Sequence, residues 1–186
     1  MIVVVVTAIG VCSALWSWTR IKRLARLPLR RLELVWVALA VQLILFEYLA
    51  RHIPLWTSNA LHFATYGLTV AFILINRHLP GAWLIAVGTS ANLIAITANG
   101  GTMPADMGAW KRAGLREIPP DVFENSAALS SPRLAFLGDV FAVPAGWPLA
   151  NVFSVGDVLI VIGGTYLAHR WCAVPTERLE LSLTAT

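Results

Sequence analysis

The sequence predicts an all-α integral membrane protein with five transmembrane helices. Of its 186 residues, 58% are apolar and only 13% are charged, whereas an ordinary soluble domain is about half apolar and about a quarter charged. A water-soluble globule of this size could not bury so much apolar surface. The composition therefore excludes a soluble enzyme, a disordered chain and a free nucleic-acid-binding protein.

Five apolar stretches approach the length that a bilayer requires. A hydrocarbon core of about 30 Å is crossed by about 20 residues of α-helix. The first stretch lacks the basic N-terminal region and the small-residue cleavage site of a signal peptide, so we expect it to be retained. The predicted spans cover residues 1–18, 32–50, 58–76, 81–98 and 151–171.

The positions of Lys and Arg predict the orientation of these helices, because short cytoplasmic flanks are enriched in both residues. With the N-terminus outside, nine of them fall on the inner side and one, Arg51, on a short outer flank. The other four lie in a long outer segment, whose translocation does not depend on charge. We therefore predict the N-terminus outside and the C-terminus inside. No Trp lies in the middle of a predicted span, which is typical of interfacial tryptophans.

The link between the first two predicted spans is strongly basic. It carries six cations from Arg20 to Arg31, and juxtamembrane cations gain about 1 kcal/mol each near anionic headgroups. We expect this link to contact anionic lipids of the inner leaflet, with a partner protein as the alternative. A nucleic acid is not expected, since no aromatic platform accompanies the charges.

Residues 99–150 form an unusually long connection between the fourth and fifth predicted spans, where 2–8 residues are common. The connection begins with Asn99-Gly100-Gly101-Thr102-Met103-Pro104, in which two glycines permit backbone angles closed to other residues. We predict an ordered extracytoplasmic cap that includes a short amphipathic segment lying on the membrane. Residues 132–144 are too few to cross a bilayer and indicate an interfacial or re-entrant segment.

Four polar residues of the predicted helices fall at one depth, in the outer third of the bilayer. They are Glu47, His62, Asn92 and Asp157. An acidic residue inside a membrane indicates a functional site, whereas Asn and Ser often only join neighbouring helices by hydrogen bonds. His62 is better explained as a hydrogen-bonded interior residue than as a ligand. Small residues such as Gly164 on the fifth helix should allow close helix packing.

These observations predict a ligand-binding site beneath the glycine turn. Its candidate residues share a place in the polar layer or in the cap segment directly above it. They are Asp157, Asn99, Gly100, Gly101, Asn92, His62, Glu47, Asp139 and Ser154. No metal-binding or phosphate-binding motif is present, so we expect neither a metal nor another cofactor. The two cysteines are interpreted as apolar packing residues.

The Asn99–Pro104 sequence, together with Leu137-Gly138-Asp139 and Ser154-Val155-Gly156-Asp157, resembles a family of small bacterial polytopic membrane proteins. That family is known only as a domain of unknown function with an Asn-Gly-Gly-x-Met-Pro signature after its fourth helix. The resemblance implies a single domain in the bacterial plasma membrane. It implies no activity.

The preferred function is the binding or translocation of a small molecule or lipid headgroup near the outer leaflet. The alternative is a non-catalytic accessory or scaffold subunit of a larger membrane complex. An enzyme would have to use Asp157 and His62 as acid and base, with Glu47 as a further candidate. Since no nucleophile accompanies them at a motif spacing, we do not expect catalysis.

Overall fold

The computed structural model describes residues 2–116 and 123–173, and this part of the chain is mostly helical. Two short 3₁₀ helices, Leu49–Arg51 and Ala135–Leu137, supplement the α-helices. The α-helices are α1 (Ile2–Ser13), α2 (Trp18–Ala25), α3 (Leu32–Glu47), α4 (Leu55–Ile75), α5 (Ala82–Ala98), α6 (Met107–Arg112) and α7 (Val155–Ala173).

The segment between α5 and α7 folds into a cap with two small sheets. Strand β1 (Met103–Pro104) pairs in parallel with β2 (Ser126–Ala127), and β3 (Phe141–Val143) pairs antiparallel with β4 (Asn151–Phe153). Helix α6 begins after Asp106, whose carboxylate caps it by accepting from the Ala109 amide at 2.8 Å. The apolar core of the cap consists of Ala105, Ala109, Trp110, Ala113 and Val152.

The long helices form an up-and-down bundle centred on α5 and α7. These two helices run antiparallel, with Gly88 facing Gly156 and Gly81 facing Gly163. Helix α3 packs against α4, and α4 also contacts α5. Because all four glycines lack a side chain, the backbones of α5 and α7 approach closely along the whole contact.

Helix α1 runs parallel to α7 on the opposite side from α5. Its last residue, Ser13, is hydrogen-bonded to His169 (Oγ–Nε2 3.0 Å). Nearer its start, Thr7 contacts Gly164. The close approach predicted for Gly164 therefore occurs, and its partner is α1.

Helix α2 and the basic link lie at one end of the bundle, and the cap lies at the other. Arg23 Nη1 donates to the carbonyl of Cys172 at 2.9 Å, and Trp171 Nε1 donates to the carbonyl of Arg23 at 2.9 Å. At the same end, the side chain of Asn76 donates to the Arg30 carbonyl and accepts from the Arg30 amide, both at 2.9 Å. The basic link is therefore bound to the C-terminal ends of α7 and α4.

Several predicted segment boundaries are wrong. The first apolar stretch does not continue as a helix to residue 18. Helix α1 ends at Ser13, and Ser17 then caps the separate helix α2 by accepting from the Arg20 amide. The last helix starts at Val155 and not at residue 151, because Asn151–Phe153 forms strand β4.

The structure also bears on two expectations about the cap. Residues 132–144, expected as an interfacial or re-entrant segment, form a 3₁₀ turn and strand β3 of the cap. Trp110, expected in an amphipathic segment lying on the membrane, is only 6% exposed and packs inside the cap core, so its ring does not face outward. In both cases the residues are held by partners distant in sequence, which local hydrophobicity does not reveal.

By length and composition, one helix in the described part of the chain can cross a membrane. This helix is α4, with 21 residues, and α5 is apolar but shorter. A single such helix is weak evidence for a membrane protein. The structure thus supports a mostly helical chain with one candidate span, and helix length does not by itself support five.

Candidate functional site

Asp157 lies at the start of α7 in a reciprocal hydrogen-bonded turn with Ser154. The Asp157 amide donates to Ser154 Oγ, and the Ser154 amide donates to Asp157 Oδ2, both at 3.0 Å. This pattern is a capping box, in which two side chains satisfy amides that the helix leaves unpaired. Its Ser-x-x-Asp signature was readable in the sequence, and our sequence analysis missed it.

Asn92 joins this capping box to α5. Its Nδ2 donates to Asp157 Oδ1 at 2.8 Å, and its Oδ1 accepts from Ser154 Oγ at 2.9 Å. Asn92 is 5% exposed and Ser154 is fully buried. Three of the predicted site residues therefore meet in one network, and each carboxylate oxygen of Asp157 has a donor.

The glycine contact between α5 and α7 makes this network possible. A Cβ atom at Gly156 would lie 2.0 Å from Asn92 Oδ1, and one at Gly88 would lie 2.4 Å from the Gly156 carbonyl oxygen. Real Cβ atoms do not approach other atoms so closely. The small residues therefore bring the Asn92 amide within hydrogen-bonding distance of α7.

Asp139 is buried in the cap. Its Oδ2 accepts from Ser126 Oγ at 2.6 Å, and its backbone pairs with Pro104 and Asp106. Burial raises the pKa of Asp139 to about 6; the Ser126 hydrogen bond lowers it, and the negative charge of Asp157 raises it further. The two aspartates are thus close enough for their charges to repel each other.

Tyr66, on α4, lies between this pair of acids and His62. The charges of Asp157 and Asp139 both act on its phenol. Its ring packs edge-on to the His62 ring, with centroids 5.2 Å apart. Tyr66 was not among the predicted site residues, although it follows His62 by four residues on the same helical face.

His62 belongs to a second polar cluster, between α3 and α4. Thr65 Oγ1 donates to the His62 carbonyl at 2.7 Å. The same hydroxyl oxygen accepts a hydrogen bond from Gln42 Nε2 at 2.6 Å. The same Gln42 nitrogen lies 2.9 Å from His62 Nδ1. If it also donates there, the imidazole proton lies on Nε2. Gln42 was missed because we gave no weight to an amide within an apolar stretch.

The second cluster contains buried polar atoms without a hydrogen-bonding partner in the described part of the chain. These atoms include His62 Nε2 and Gln42 Oε1. The His62 ring packs against the rings of Phe46, Phe123 and Tyr66. An unpartnered buried polar atom costs about 1–3 kcal/mol, so this cluster is an energetic weak point of the bundle.

The glycine turn is held tightly against α4 and the cap. Asn99 accepts from the Arg133 amide and donates to the Arg133 carbonyl, both at 2.8 Å. Asn59 Nδ2 donates to the Gly100 carbonyl at 3.2 Å. Gly101 has φ +104°, and a Cβ there would lie 2.7 Å from Asn59 Oδ1, so only glycine fits without strain.

Glu47, a predicted site residue, does not join the hydrogen-bonded network around Asp157. It is exposed at the last position of α3. In residues 2–116 and 123–173 it has neither an ion pair nor a side-chain hydrogen bond. The structure does not bring it to Asp157.

A cavity of about 330 Å³ lies between α1, α7 and the β3–β4 hairpin. Its lining surface is apolar, although Asp157 borders it. The Asp157 carboxylate, which Asn92 and Ser154 hold, therefore does not face the cavity. The lining residues are Val6, Val143, Phe153, Asp157, Val158, Val161 and Ile162.

Comparison with known proteins identifies relatives without a described activity. An uncharacterized protein of Thermotoga maritima is 31% identical over 100 residues, which cover 53% of this chain and 56% of that protein. The match thus spans about half the length of that relative. No solved structure matches the chain. The family DUF5317, described as a family of unknown function, matches residues 26–168, from the middle of the basic link into α7. This match covers well over half of the sequence, and the chain therefore belongs to the DUF5317 family.

Proposed function

We propose that this chain is a multi-pass protein of the bacterial plasma membrane that binds a lipid-like molecule near the outer leaflet. In this arrangement α1, α3, α4, α5 and α7 lie in the bilayer, with the cap outside. The support is the large apolar surface that these helices present outward, which water would not favour. Exposed examples on α3 and α5 are Trp36, Val37, Leu43, Ile44, Trp83, Val87 and Ile94.

The distribution of charge supports the same arrangement. Helices α4 and α5 contain no Asp, Glu, Lys or Arg, and α3 carries such residues only at Glu33 and Glu47, near its two ends. The basic link and the cap lie at opposite ends of the bundle. A charged residue in the centre of a bilayer costs several kcal/mol, so this placement suits helices that enter a membrane with the basic end inside.

We further propose that Asn99–Pro104 is the signature of the family in this chain. Asn99 and Gly101 hold the turn against Arg133 and Asn59. The turn therefore sets the position of the cap above α5. We propose that the turn contributes to a binding site by holding the cap, and with it the β3–β4 hairpin that borders the cavity, in position.

The observation that carries the binding proposal is the apolar cavity beneath the β3–β4 hairpin. Its volume of about 330 Å³ falls within the range of ligand pockets. An apolar lining favours the binding of a hydrocarbon group. Asp157 is the one acidic residue among the lining residues. We propose that an acyl chain or similar apolar body occupies the cavity.

The remaining polar residues have a supporting role in this proposal. Asn92 and Ser154 bind the Asp157 carboxylate on the side away from the cavity, and Asp139 places a second acidic group nearby in the cap. His62 and Glu47 are not part of the cavity lining. We therefore assign them no contact with the apolar body of the ligand.

Photo-crosslinking tests the proposal directly. The full chain is reconstituted in nanodiscs that contain a phosphatidylethanolamine with a diazirine in one acyl chain, and labelled peptides are mapped by mass spectrometry. We expect enriched labelling of α7 around Val158. Replacement of Val158 by Trp, which fills the cavity, should reduce this labelling, whereas Ile94→Trp on the exposed face of α5 should not.

Uniform labelling of all helices, unchanged by Val158→Trp, would overturn the binding proposal. Native mass spectrometry from mild detergent addresses the accessory-subunit alternative with the same preparation. A single chain that retains lipid supports binding. A partner chain in fixed stoichiometry would instead favour an accessory subunit.

A further inference from the structure

The exposed face of α2 is apolar and cationic at the same time. Ile21 and Lys22 follow Trp18 by three and four residues, and Ala25 follows Lys22 by three, so the four residues share one face of the helix. All four are exposed. No residue of α2 is buried. Trp18 is 69% exposed, which is unusual for so large an aromatic side chain in water.

The opposite face of α2 is attached to the end of α7. Arg23 donates to the Cys172 carbonyl, Trp171 donates to the Arg23 carbonyl, and Leu24 packs on the small apolar cluster that contains Cys172 and Ala168. These contacts hold α2 at the level where α1 and α7 end. The position of its outer face is therefore determined by the bundle.

Aromatic and cationic groups alternate around this face. The Arg20 guanidinium lies 3.6 Å from the ring centre of Trp16, and Lys22 Nζ lies 5.9 Å from that of Trp18. Trp16 is 73% exposed. Tryptophan next to cations is the composition expected where a protein meets lipid headgroups.

Lys22 and Arg26 are exposed cations of this surface. Within residues 2–116 and 123–173, one ion pair involves the link, Arg31–Glu33 at 3.3 Å. Neither Lys22 nor Arg26 forms an ion pair in that part of the chain. Among the described residues, no acidic side chain at ion-pair distance neutralises these two charges.

We infer that the exposed face of α2, together with Trp16 and Arg26, is a binding surface for anionic phospholipid headgroups of the leaflet opposite the cap. The inference rests on the membrane arrangement proposed above. The tryptophans and Ile21 enter the headgroup boundary, and Lys22 and Arg26 contact the phosphates. Each of these two cations contributes about a fivefold preference for anionic over zwitterionic lipid.

Tryptophan quenching by brominated lipids tests this surface in the full chain. Nanodiscs of phosphatidylcholine are prepared with equal fractions of either brominated phosphatidylglycerol or brominated phosphatidylcholine. Subtraction of the signal of Trp16→Phe/Trp18→Phe isolates the two relevant tryptophans. We expect stronger quenching by the brominated phosphatidylglycerol, and we expect Lys22→Gln/Arg26→Gln to remove the difference.

Lys111→Gln/Arg112→Gln is the matched control, because it removes two cations from the cap at the other end of the molecule. It should leave the difference unchanged. Equal quenching by the two lipids in the native chain would overturn the headgroup preference and leave the membrane arrangement standing. Absence of quenching by either lipid would overturn both.

Discussion

The side-chain amide of Asn92 donates to the carboxylate of Asp157 at 2.8 Å, and this bond joins α5 and α7, whose backbones approach closely at Gly88 and Gly156. Asp157 also belongs to the capping box at the start of α7. The bond thus connects the end of one apolar helix to the middle of another. It explains how an acidic residue is accommodated among apolar side chains, because every oxygen of the carboxylate has a donor.

Replacement of Asn92 by Ala should lower the free energy of unfolding by about 1–2 kcal/mol, because Asp157 and Ser154 each lose a partner. The measurement is thermal or denaturant-induced unfolding in mild detergent. Thr97→Ala is the control, since Thr97 is exposed on the same helix and bonds only to the Leu93 carbonyl. Equal stabilities of the Asn92 and Thr97 variants would contradict the importance of the network.

Substitution of Gly156 or Gly88 by Ala should destabilise the bundle by about 1–3 kcal/mol, because the new methyl group would force α5 and α7 apart. Gly67 is a matched helical control, since a Cβ there meets no atom within 4 Å. Gly67→Ala should stabilise α4 by up to about 1 kcal/mol through helix propensity. If all three variants were stabilised alike, the close contact of α5 and α7 would be refuted.

The stability of the cap should depend on pH through Asp139. Its pKa is raised from the ordinary value of 3.8 to about 6 by burial, so the folded state binds a proton more tightly than the unfolded state. This contribution is fully present below about pH 4 and is lost as the pH rises through 6. We expect a loss of about 2–3 kcal/mol between pH 4 and pH 7.

Unfolding experiments across this pH range test the expectation. Asp139→Asn should flatten the profile, and Ser126→Ala should move the loss to higher pH, because it removes the hydrogen bond that lowers the pKa. Other titrating groups contribute equally to the wild type and the variants. A profile of Asp139→Asn that retains the full slope would show that another group is responsible.

A double-mutant cycle should reveal coupling between Gln42 and His62. Gln42→Leu alone leaves both imidazole nitrogens without a partner in the described part of the chain, so we expect a loss of about 1–3 kcal/mol. The same change in a His62→Phe background should cost much less, because the acceptor has gone. The coupling energy from four unfolding measurements should be about 0.5–3 kcal/mol. Additive effects would argue against the 2.9 Å contact.

Local patterns predicted the helices and part of the polar layer. Apolar composition predicted the bounds of α3, α4 and α5 closely. A helix is recognisable from a short stretch of sequence, because its apolar residues recur every three to four positions. Helix length placed Asn92 and Asp157 at one depth, and the structure joins them. The capping box was also accessible to this kind of reasoning and was overlooked.

The cap shows where such reasoning ends. Asp139 acquires its raised pKa from burial, and Ser126, which holds it, is 13 residues away. Phe123 packs on the His62 ring from a segment far along the chain. Strand β4 takes residues that apolar composition assigned to a helix. Each of these contacts joins residues that are distant in sequence, so no short stretch of sequence reveals it.

The sequence alone determined that this chain consists of apolar helices with a polar layer and a long cap, since composition and helical period are properties of neighbouring residues. Only the tertiary structure decided which polar groups share hydrogen bonds, that the Asp157 carboxylate turns away from the apolar cavity, and that Trp110 lies inside the cap. The physical reason is that the burial of a side chain and its hydrogen bonds depend on groups from elements distant in sequence. These interactions stabilise the chain only once those elements have packed together.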